Sequence, residues 1–322
     1  MNNEYTYAVA RVKAKEMSLL SKSDIDTLIT SRSVDECLRF LIDRGWTECK
    51  DDNFEQMLKD EKDKVWSIIN ELVGDDEIFN VFRCPIDFHN VKAAIKTVAT
   101  NTENPERFFI DKGTISAEKI YTAIRENDFQ ALPEHLRECA DEAFHKLIKT
   151  GDGQLCDIIV DRKSFEYLLS ITSASKCRIV RDYGELTTAA ANIKTAVRCL
   201  KTGKTLDFIK QALAPCCTLN VSMLAEAASK NLDAICNYLT YTDYSPAVDY
   251  LKKSSSEFEK YFDNILMEKI KEQKSDFFTI APIVSYYLAR ENEFKNVRMI
   301  LSGKQNEFDE QIIKERLRKM YV

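Results

Sequence analysis

A short pattern that occurs three times at nearly equal intervals constrains the fold of this chain more than any other feature. Asparagine, then valine or isoleucine, then lysine or arginine stands at 90–92, 192–194 and 296–298, so the asparagines lie 102 and 104 residues apart. Each triplet opens a stretch whose apolar residues have helical spacing. Such an interval is too long for a solenoid repeat of roughly 20–50 residues. The pattern therefore predicts three related helical domains.

A second similarity supports the same division. Ser31–Leu41 aligns with Ser229–Leu239, close to two repeat lengths further on. The middle part of the chain shows the weakest counterpart of this segment. We therefore predict helical repeats at residues 1–103, 104–206 and 207–322, of which the second is the most divergent.

The scarcity of turn-forming residues favours helices throughout. Glycine and proline number 8 and 6 among 322 residues. Tight hairpins, bulges and phosphate-binding loops need backbone conformations that these two residues allow. The composition therefore argues against a β-sandwich, a β-barrel or a glycine-rich nucleotide fold, and predicts an all-α protein.

Several helix ends are predicted by local signals. Ser33 with Glu36, and Asp52 with Glu55, have the spacing of a capping box at a helix start. Pro282 can occupy the first turn of a helix that runs to about Leu301.

Glycines give the predicted ends of other helices. A helix from Asp157 to Arg181 is expected to end before Gly184. Gly203 and Gly303 are expected to close their helices in the left-handed conformation.

The chain shows no feature of a secreted or membrane-spanning protein. The N-terminal apolar run, residues 7–10, is too short for a signal peptide, and no stretch approaches the roughly 18 apolar residues of a membrane helix. Ten cysteines are scattered without a Cys-x-x-Cys pair. We interpret them as small core residues in a reducing cytosol, and predict no metal site.

Nucleotide and nucleic-acid binding are both disfavoured. Gly203-Lys204-Thr205 resembles the end of a phosphate-binding loop, but Arg198 stands where that motif needs glycine. The formal net charge of −6 repels nucleic-acid phosphates. His89, His135 and His145 belong to no hydrolase motif, so we assign no catalytic and no cofactor-binding residue.

A magnesium-dependent diphosphate transferase is kept as a remote alternative. Asp51 and Asp52 resemble the paired carboxylates of helical prenyl transferases, which need a second carboxylate group on a facing helix. The nearest candidates, Asp75 and Asp76, have unsuitable spacing. A solvated helix start is the simpler interpretation.

Polar residues beside two of the repeated asparagines form the most specific candidate site. Asp87 stands three residues before Asn90, and Glu293 three before Asn296, so each pair shares one helical face. Ala189 breaks this pattern before Asn192. We interpret the set as structural clamps between helices, in which every buried polar group finds a partner. The candidate clamp residues are Asp87, Asn90, Asn192, Glu293 and Asn296.

The C-terminal residues 311–322 are basic and are predicted to form a helix. Two hypotheses stay open for their charge. It can stabilise the negative end of the helix dipole, or it can dock an acidic surface of a partner. The residues concerned are Lys314, Arg316, Arg318 and Lys319.

Three segments together resemble a known family. Residues 286–304, followed by 312–317, are similar to the C-terminal signature of the C subunits of V-type (archaeal-type) ATP synthases, which are called d subunits in eukaryotic vacuolar ATPases. The opening residues 7–20 fit the same family.

This resemblance implies a fold, a function and partners. The three pseudo-repeated helical domains would be arranged as a funnel at the cytoplasmic face of the membrane. As a non-catalytic rotor component, the chain would transmit torque between proton or sodium transport and ATP synthesis or hydrolysis. Its partners would be central-shaft subunits of D/F type and the c/K-type rotor ring, through which membrane contact is indirect. A helical scaffold outside any ATPase is the alternative.

Overall fold

The computed structural model describes residues 5–48, 53–74, 77–273 and 278–322, and within them the all-α prediction is confirmed. These residues form α-helices and short 3₁₀ segments without a strand. The first eight α-helices are α1 (Thr6–Glu16), α2 (Lys22–Thr30), α3 (Val34–Asp43), α4 (Phe54–Val73), α5 (Asn80–Ala99), α6 (Ala117–Arg125), α7 (Glu134–Thr150) and α8 (Gly153–Ser173). The next eight are α9 (Arg178–Lys201), α10 (Leu206–Ala212), α11 (Val221–Ala228), α12 (Leu232–Leu239), α13 (Ala247–Lys253), α14 (Ser255–Glu272), α15 (Ala281–Gln305) and α16 (Glu310–Arg316). The 3₁₀ segments are Glu77–Phe79, Pro105–Phe108 and Phe129–Ala131.

The chain divides into two compact units. Unit 1 comprises Met1–Asp76, Cys177–Asp182 and Asp249–Val322, and unit 2 comprises Glu77–Lys176 and Tyr183–Val248. The division into three repeats and their funnel arrangement stay predictions.

Unit 1 is built around α15. Pro282 occupies the first turn of this helix, as predicted, because a proline there has no N–H to leave unpaired. The helix continues to Gln305, one turn beyond the predicted end. Most of its side chains are buried, since helices α1, α2, α3, α4, α14 and α16 pack around it.

Unit 2 has its main core where α6, α7 and α8 pack against α5. Apolar residues at helical spacing on these helices form one contiguous cluster, which drives their association by removing apolar surface from water. Its fully buried members include Val91, Ile95, Ile120, Ile124, Leu136, Ala140, Cys156 and Val160.

The helix starts agree with the sequence in part. The Ser33 side chain accepts a hydrogen bond from Glu36 N–H, as predicted, whereas the Glu36 carboxylate accepts from Arg32 N–H rather than from Ser33. Asp52 lies outside the described residues. Asn53 caps α4 by accepting from Gln56 N–H.

Of the three glycines predicted to end helices, Gly203 is placed correctly, with φ of +63° after α9. The other two predictions are wrong. The helix predicted from Asp157 to Arg181 is divided into α8, which ends at Ser173, and α9, which begins at Arg178 and contains Gly184. Gly303 lies inside α15. A Cβ on Gly184 would lie 2.0 Å from Thr172 Oγ1, and one on Gly303 would lie 2.7 Å from Ile313 Cγ1. Both glycines therefore serve the close approach of a neighbouring segment.

Two further expectations concern the cysteines and membrane-spanning helices. Most of the described cysteines are free and buried, while Cys216 is partly exposed and Cys217 is exposed. Among the helices of the described residues, none combines the length and the apolar character that crossing a membrane requires.

Replacing Gly184 by alanine should destabilise the protein. The new methyl group meets Thr172 at 2.0 Å, and overpacking of this kind costs about 1–3 kcal/mol. Gly153→Ala is the matched control, because a Cβ there meets nothing within 4 Å. Thermal unfolding should show a lower Tm for Gly184→Ala and an unchanged or higher Tm for Gly153→Ala. Equal effects of the two changes would contradict the packing role of Gly184.

Candidate functional site

Asn90 holds the chain segment that returns after α5. Its Nδ2 donates to the Ile110 carbonyl oxygen at 2.9 Å, and its Oδ1 accepts from Ile110 N–H at 2.9 Å. Ile110 lies in an irregular segment after the 3₁₀ segment Pro105–Phe108. One buried carboxamide thus satisfies both polar groups of one backbone residue.

The other two repeated asparagines make the same pair of bonds. Asn192 donates to the Ala214 carbonyl at 2.8 Å and accepts from Ala214 N–H at 2.9 Å. Asn296 donates to the Arg318 carbonyl at 3.1 Å and accepts from Arg318 N–H at 2.8 Å. All three asparagines are buried.

The turns that follow the three helices also share one geometry. Each helix ends nine residues after its asparagine, at Ala99, Lys201 or Gln305. A residue with positive φ then stands at the same position in each turn. These residues are Asn101 (+47°), Gly203 (+63°) and Glu307 (+55°). Each is followed by a backbone bond that closes the helix end: Thr102 N to Thr97 O, Lys204 N to Cys199 O and Phe308 N to Gly303 O.

The asparagines therefore bind irregular backbone outside the helices, whereas the sequence suggested contacts between helices. Apolar packing alone does not fix such a segment along its length, whereas a two-point hydrogen bond does. That these contacts clamp the fold stays our proposal.

The acidic residues near the three asparagines make different contacts. The Asp87 carboxylate accepts from Thr114 N–H at 2.9 Å and from Thr114 Oγ1 at 2.6 Å. Burial raises the pKa of Asp87, although the hydrogen bonds from Thr114 and Ile115 favour its charged form.

Glu185 makes the matching contact near Asn192, on the same helix α9. Its Oε1 accepts from Thr218 N–H and from Thr218 Oγ1, both at 2.6 Å. The sequence comparison missed Glu185 because the carboxylate stands one helical turn earlier, and Ala189 at the expected position is fully buried. A search for an acid at either of two successive turns before the asparagine would have found it.

Glu293 belongs to a different, buried charge network in unit 1. It accepts from Leu20 N–H at 2.7 Å and pairs with the Arg290 guanidinium. Arg290 also pairs with Glu61 at 2.8 Å, and the Glu61 carboxylate accepts from Thr47 N–H and Oγ1 at 2.8 Å. The network ties α15 to α4 and to the chain before α2.

The environment of this network sets its protonation. The Arg290 guanidinium lies over the rings of Trp46 and Phe294, at 5.2 and 4.7 Å from their centroids. Burial raises the pKa of Glu293 in spite of the nearby Arg290 charge. Burial also acts to raise the pKa of Glu61, but hydrogen bonds from Lys64 and Thr47, with the charge of Arg290, outweigh it and hold that pKa below its ordinary value.

The C-terminal segment is helical only in part. Helix α16 ends at Arg316, Leu317 is extended, and residues 318–320 are irregular. The predicted continuous helix is therefore wrong, because Asn296 takes up the N–H and carbonyl of Arg318.

The four basic docking candidates fall into two pairs. Arg318 is largely buried and bound to Asp263 at 2.9 Å, and Lys319 pairs with Glu268. Lys314 is exposed, and Arg316 is exposed with its guanidinium 5.4 Å from the centroid of the Phe308 ring. Arg318 is thus held within unit 1, whereas Lys319 and Glu268 form a surface pair in which each side chain is more than half exposed.

The residues of the discarded phosphate-binding loop have ordinary roles. Lys204 contacts Gln154 and the Phe208 ring, and Thr205 caps α10. Asp51, Asp52, Asp75 and Asp76 lie outside the described residues.

Comparison with known proteins identifies the family. A sequence model of the family described as "ATP synthase (C/AC39) subunit" matches residues 8–316. The chain belongs to this family. The resemblance seen in the sequence is thereby confirmed, and the chain is a non-catalytic component of a rotary ATPase.

Individual relatives are similar to this chain along most of their length. The C subunit of the V-type sodium ATPase of Enterococcus hirae is 25% identical, over 99% of this chain and 99% of the relative. The C subunit of the A-type ATP synthase of Methanocaldococcus jannaschii is 24% identical, over 93% of this chain and 82% of the relative. The corresponding A-type ATP synthase protein of Desulfurococcus sp. is 24% identical, over 97% of this chain and 90% of the relative.

Changing Asn192 to aspartate should destabilise the protein in a pH-dependent way. The charged carboxylate faces the Ala214 carbonyl with no proton to donate, a loss of about 1–3 kcal/mol at neutral pH. Folding raises the pKa of the new buried acid, so its protonated form, which can donate, is favoured in the native state. The penalty should therefore shrink as the pH falls.

The control for this change is Asn231→Asp. Asn231 is exposed and caps α12 by accepting from Ala234 N–H, a role that aspartate fills equally well. Urea unfolding of both variants at pH 7 and pH 5 measures the difference. A penalty at Asn192 no larger than that at Asn231 would argue against the clamp.

The buried pairing of Glu61 gives a second prediction. Glu61→Gln leaves Arg290 with one carboxylate partner and should cost about 3 kcal/mol near pH 7. The folded-state pKa of Glu61 lies below its ordinary value of 4.5, so its contribution is full above that value and is lost as the pH falls through the lowered pKa. The gap between wild type and variant should narrow over this range.

Glu55→Gln is the matched control in the same unit. Glu55 pairs with Arg298 at 2.6 Å, but both side chains are half exposed. Such a surface pair contributes at most about 1 kcal/mol. Equal losses for the two variants in urea unfolding would show that burial adds nothing to the Glu61 pair.

Proposed function

We propose that this chain is the central-stalk rotor component that joins the central shaft of a V-type or A-type ATPase to the membrane rotor ring. In this position it would lie at the cytoplasmic face of the membrane and transmit torque between ion transport and ATP chemistry. The family match along nearly the whole chain carries this proposal. The relatives named as C subunits of a sodium ATPase and of ATP synthases support it.

The internal bonding of the chain suits a part that transmits force. Torque is lost wherever a loop yields, and irregular segments after helices are the usual weak points. Here three such segments are each held by two hydrogen bonds from a buried asparagine. In unit 1 the network of Glu61, Arg290 and Glu293 adds charge-assisted bonds between helices.

An adaptor of this kind needs two interfaces of different character. A ring of many identical subunits and a single asymmetric shaft share no symmetry, so one rigid pocket cannot match both. Polar and charged contacts spread over a broad surface tolerate the mismatch better than one deep apolar contact. Partner choice would then depend on electrostatic complementarity.

The docking charges that remain available are Lys314 and Arg316. Arg318 is largely buried against Asp263, so we assign it to the fold, and Lys319 is paired with Glu268 at the surface of unit 1. We propose that Lys314 and Arg316 contact an acidic surface of a shaft or ring partner.

A pull-down from native membranes tests the function. The affinity-tagged protein, recovered after mild detergent extraction, should bring both shaft and ring subunits with it, identified by mass spectrometry. Recovery of neither, from membranes in which the ATPase is intact, would contradict the proposal and favour a helical scaffold outside the ATPase.

The docking prediction uses a double variant, Lys314→Gln with Arg316→Gln. Binding to the isolated shaft or ring should weaken at low salt, and the difference from wild type should shrink at high salt, because salt screens exposed charges over about 8 Å at 0.15 M. Lys252→Gln with Lys253→Gln is the matched control, since both lysines are exposed and Lys253 lies over the Tyr250 ring as Arg316 lies over Phe308. Equal binding of the two double variants, with both folded, would contradict the docking role.

A further inference from the structure

Three side chains with metal-binding atoms meet in unit 2. Cys84 and Asp87 lie one turn apart on α5, and His135 lies on α7. One ligand atom from each, the thiol sulfur, a carboxylate oxygen and a ring nitrogen, lies within 4.8 Å of the other two. Cys84 and Asp87 are buried, and His135 is partly buried.

A second observation, independent of the cluster, concerns the ring of His135. Its Nε2 is buried and has no hydrogen-bond partner among the described residues. The ring is fixed by stacking on Tyr167, with centroids 4.3 Å apart and planes at 9°. A buried polar atom without a partner needs an explanation, and an ion or water is the usual one.

The Asp87 carboxylate is oriented before any ligand arrives. Thr114 binds both of its oxygens through N–H and Oγ1. Hydrogen bonds of this kind position the ligands of metal sites and are common around them.

We propose that Cys84, Asp87 and His135 bind a zinc-like divalent cation and thereby tie α5 to α7. Thiolate, imidazole and carboxylate are the ligand types that zinc takes, with a fourth position left for water. The thiolate and carboxylate charges balance the cation, so the ion brings no net charge into the buried region.

The site requires a small contraction. Ligand atoms around tetrahedral zinc lie roughly 3.3–3.8 Å apart at the usual bond lengths. The three atoms now lie within 4.8 Å of one another, so shifts of about 1 Å through side-chain rotation bring them to that range. The sequence gives no motif for this site, because His135 is distant along the chain and comes close only through the packing of α7 on α5.

Cobalt(II) is a suitable probe, because a thiolate ligand gives it a charge-transfer absorption band in the near ultraviolet. The exposed Cys217 would bind metal on its own, so the experiment uses the full-length chain in a Cys217→Ser background. Titration at micromolar protein should give the thiolate band with one cobalt per chain, and zinc should abolish it by displacement. Zinc should also raise the Tm.

The variants decide the assignment. Cys84→Ser should remove the band, and His135→Gln should weaken cobalt binding at least tenfold. Cys139→Ser is the control, because Cys139 is buried in the same core but outside the cluster. Circular dichroism of each metal-free variant checks its fold, and His135→Gln alone decides if Cys84→Ser does not fold. No saturable binding in the background protein, unchanged binding in His135→Gln, or equal loss in Cys139→Ser would overturn the proposal.

Discussion

The structure depends on a simple match between a carboxamide and a backbone residue. An asparagine side chain offers one donor and one acceptor in a single plane, and a residue of extended backbone offers the complementary pair. At the buried residues Asn90, Asn192 and Asn296, this pairing ties a later segment of the chain back to the helix that carries the asparagine. Aspartate lacks the donor, and glutamine adds a rotatable bond whose freedom must be lost. The repeated residue type thus follows from geometry.

The same match explains which features of the fold could be predicted from the sequence. The asparagine pattern stood out because one geometric task repeats, and each helix ends at the same distance beyond its asparagine. The scarcity of glycine and proline was sufficient for the helical class. Short-range signals, such as Ser33 and Pro282 at helix starts, also held because their partners are neighbours in sequence.

The predictions from the sequence were wrong where tertiary contacts override the local pattern of residues. Residues 312–320 have helical spacing, yet Arg318 gives its backbone groups to Asn296 and the helix stops at Arg316. Gly184 was interpreted as a helix end, although its role is to make room for Thr172. The pair of Glu61 and Arg290 joins residues far apart in the chain, so no spacing rule could predict it.

The distribution of charge connects the fold to the proposed function. A buried ion pair adds less stability than its geometry suggests, because both groups lose their hydration. Such a pair fixes the relative positions of the helices that carry it, since Arg290 cannot move from Glu61 and Glu293 without leaving charges unpaired. A protein under alternating load gains from contacts that resist sliding, which apolar surfaces do poorly. Exposed charges such as Lys314 act differently, because water and salt weaken them and their partners can be exchanged. Under the proposed function, buried charges such as Glu61 and Arg290 would fix the shape of unit 1, and exposed charges such as Lys314 would dock a partner.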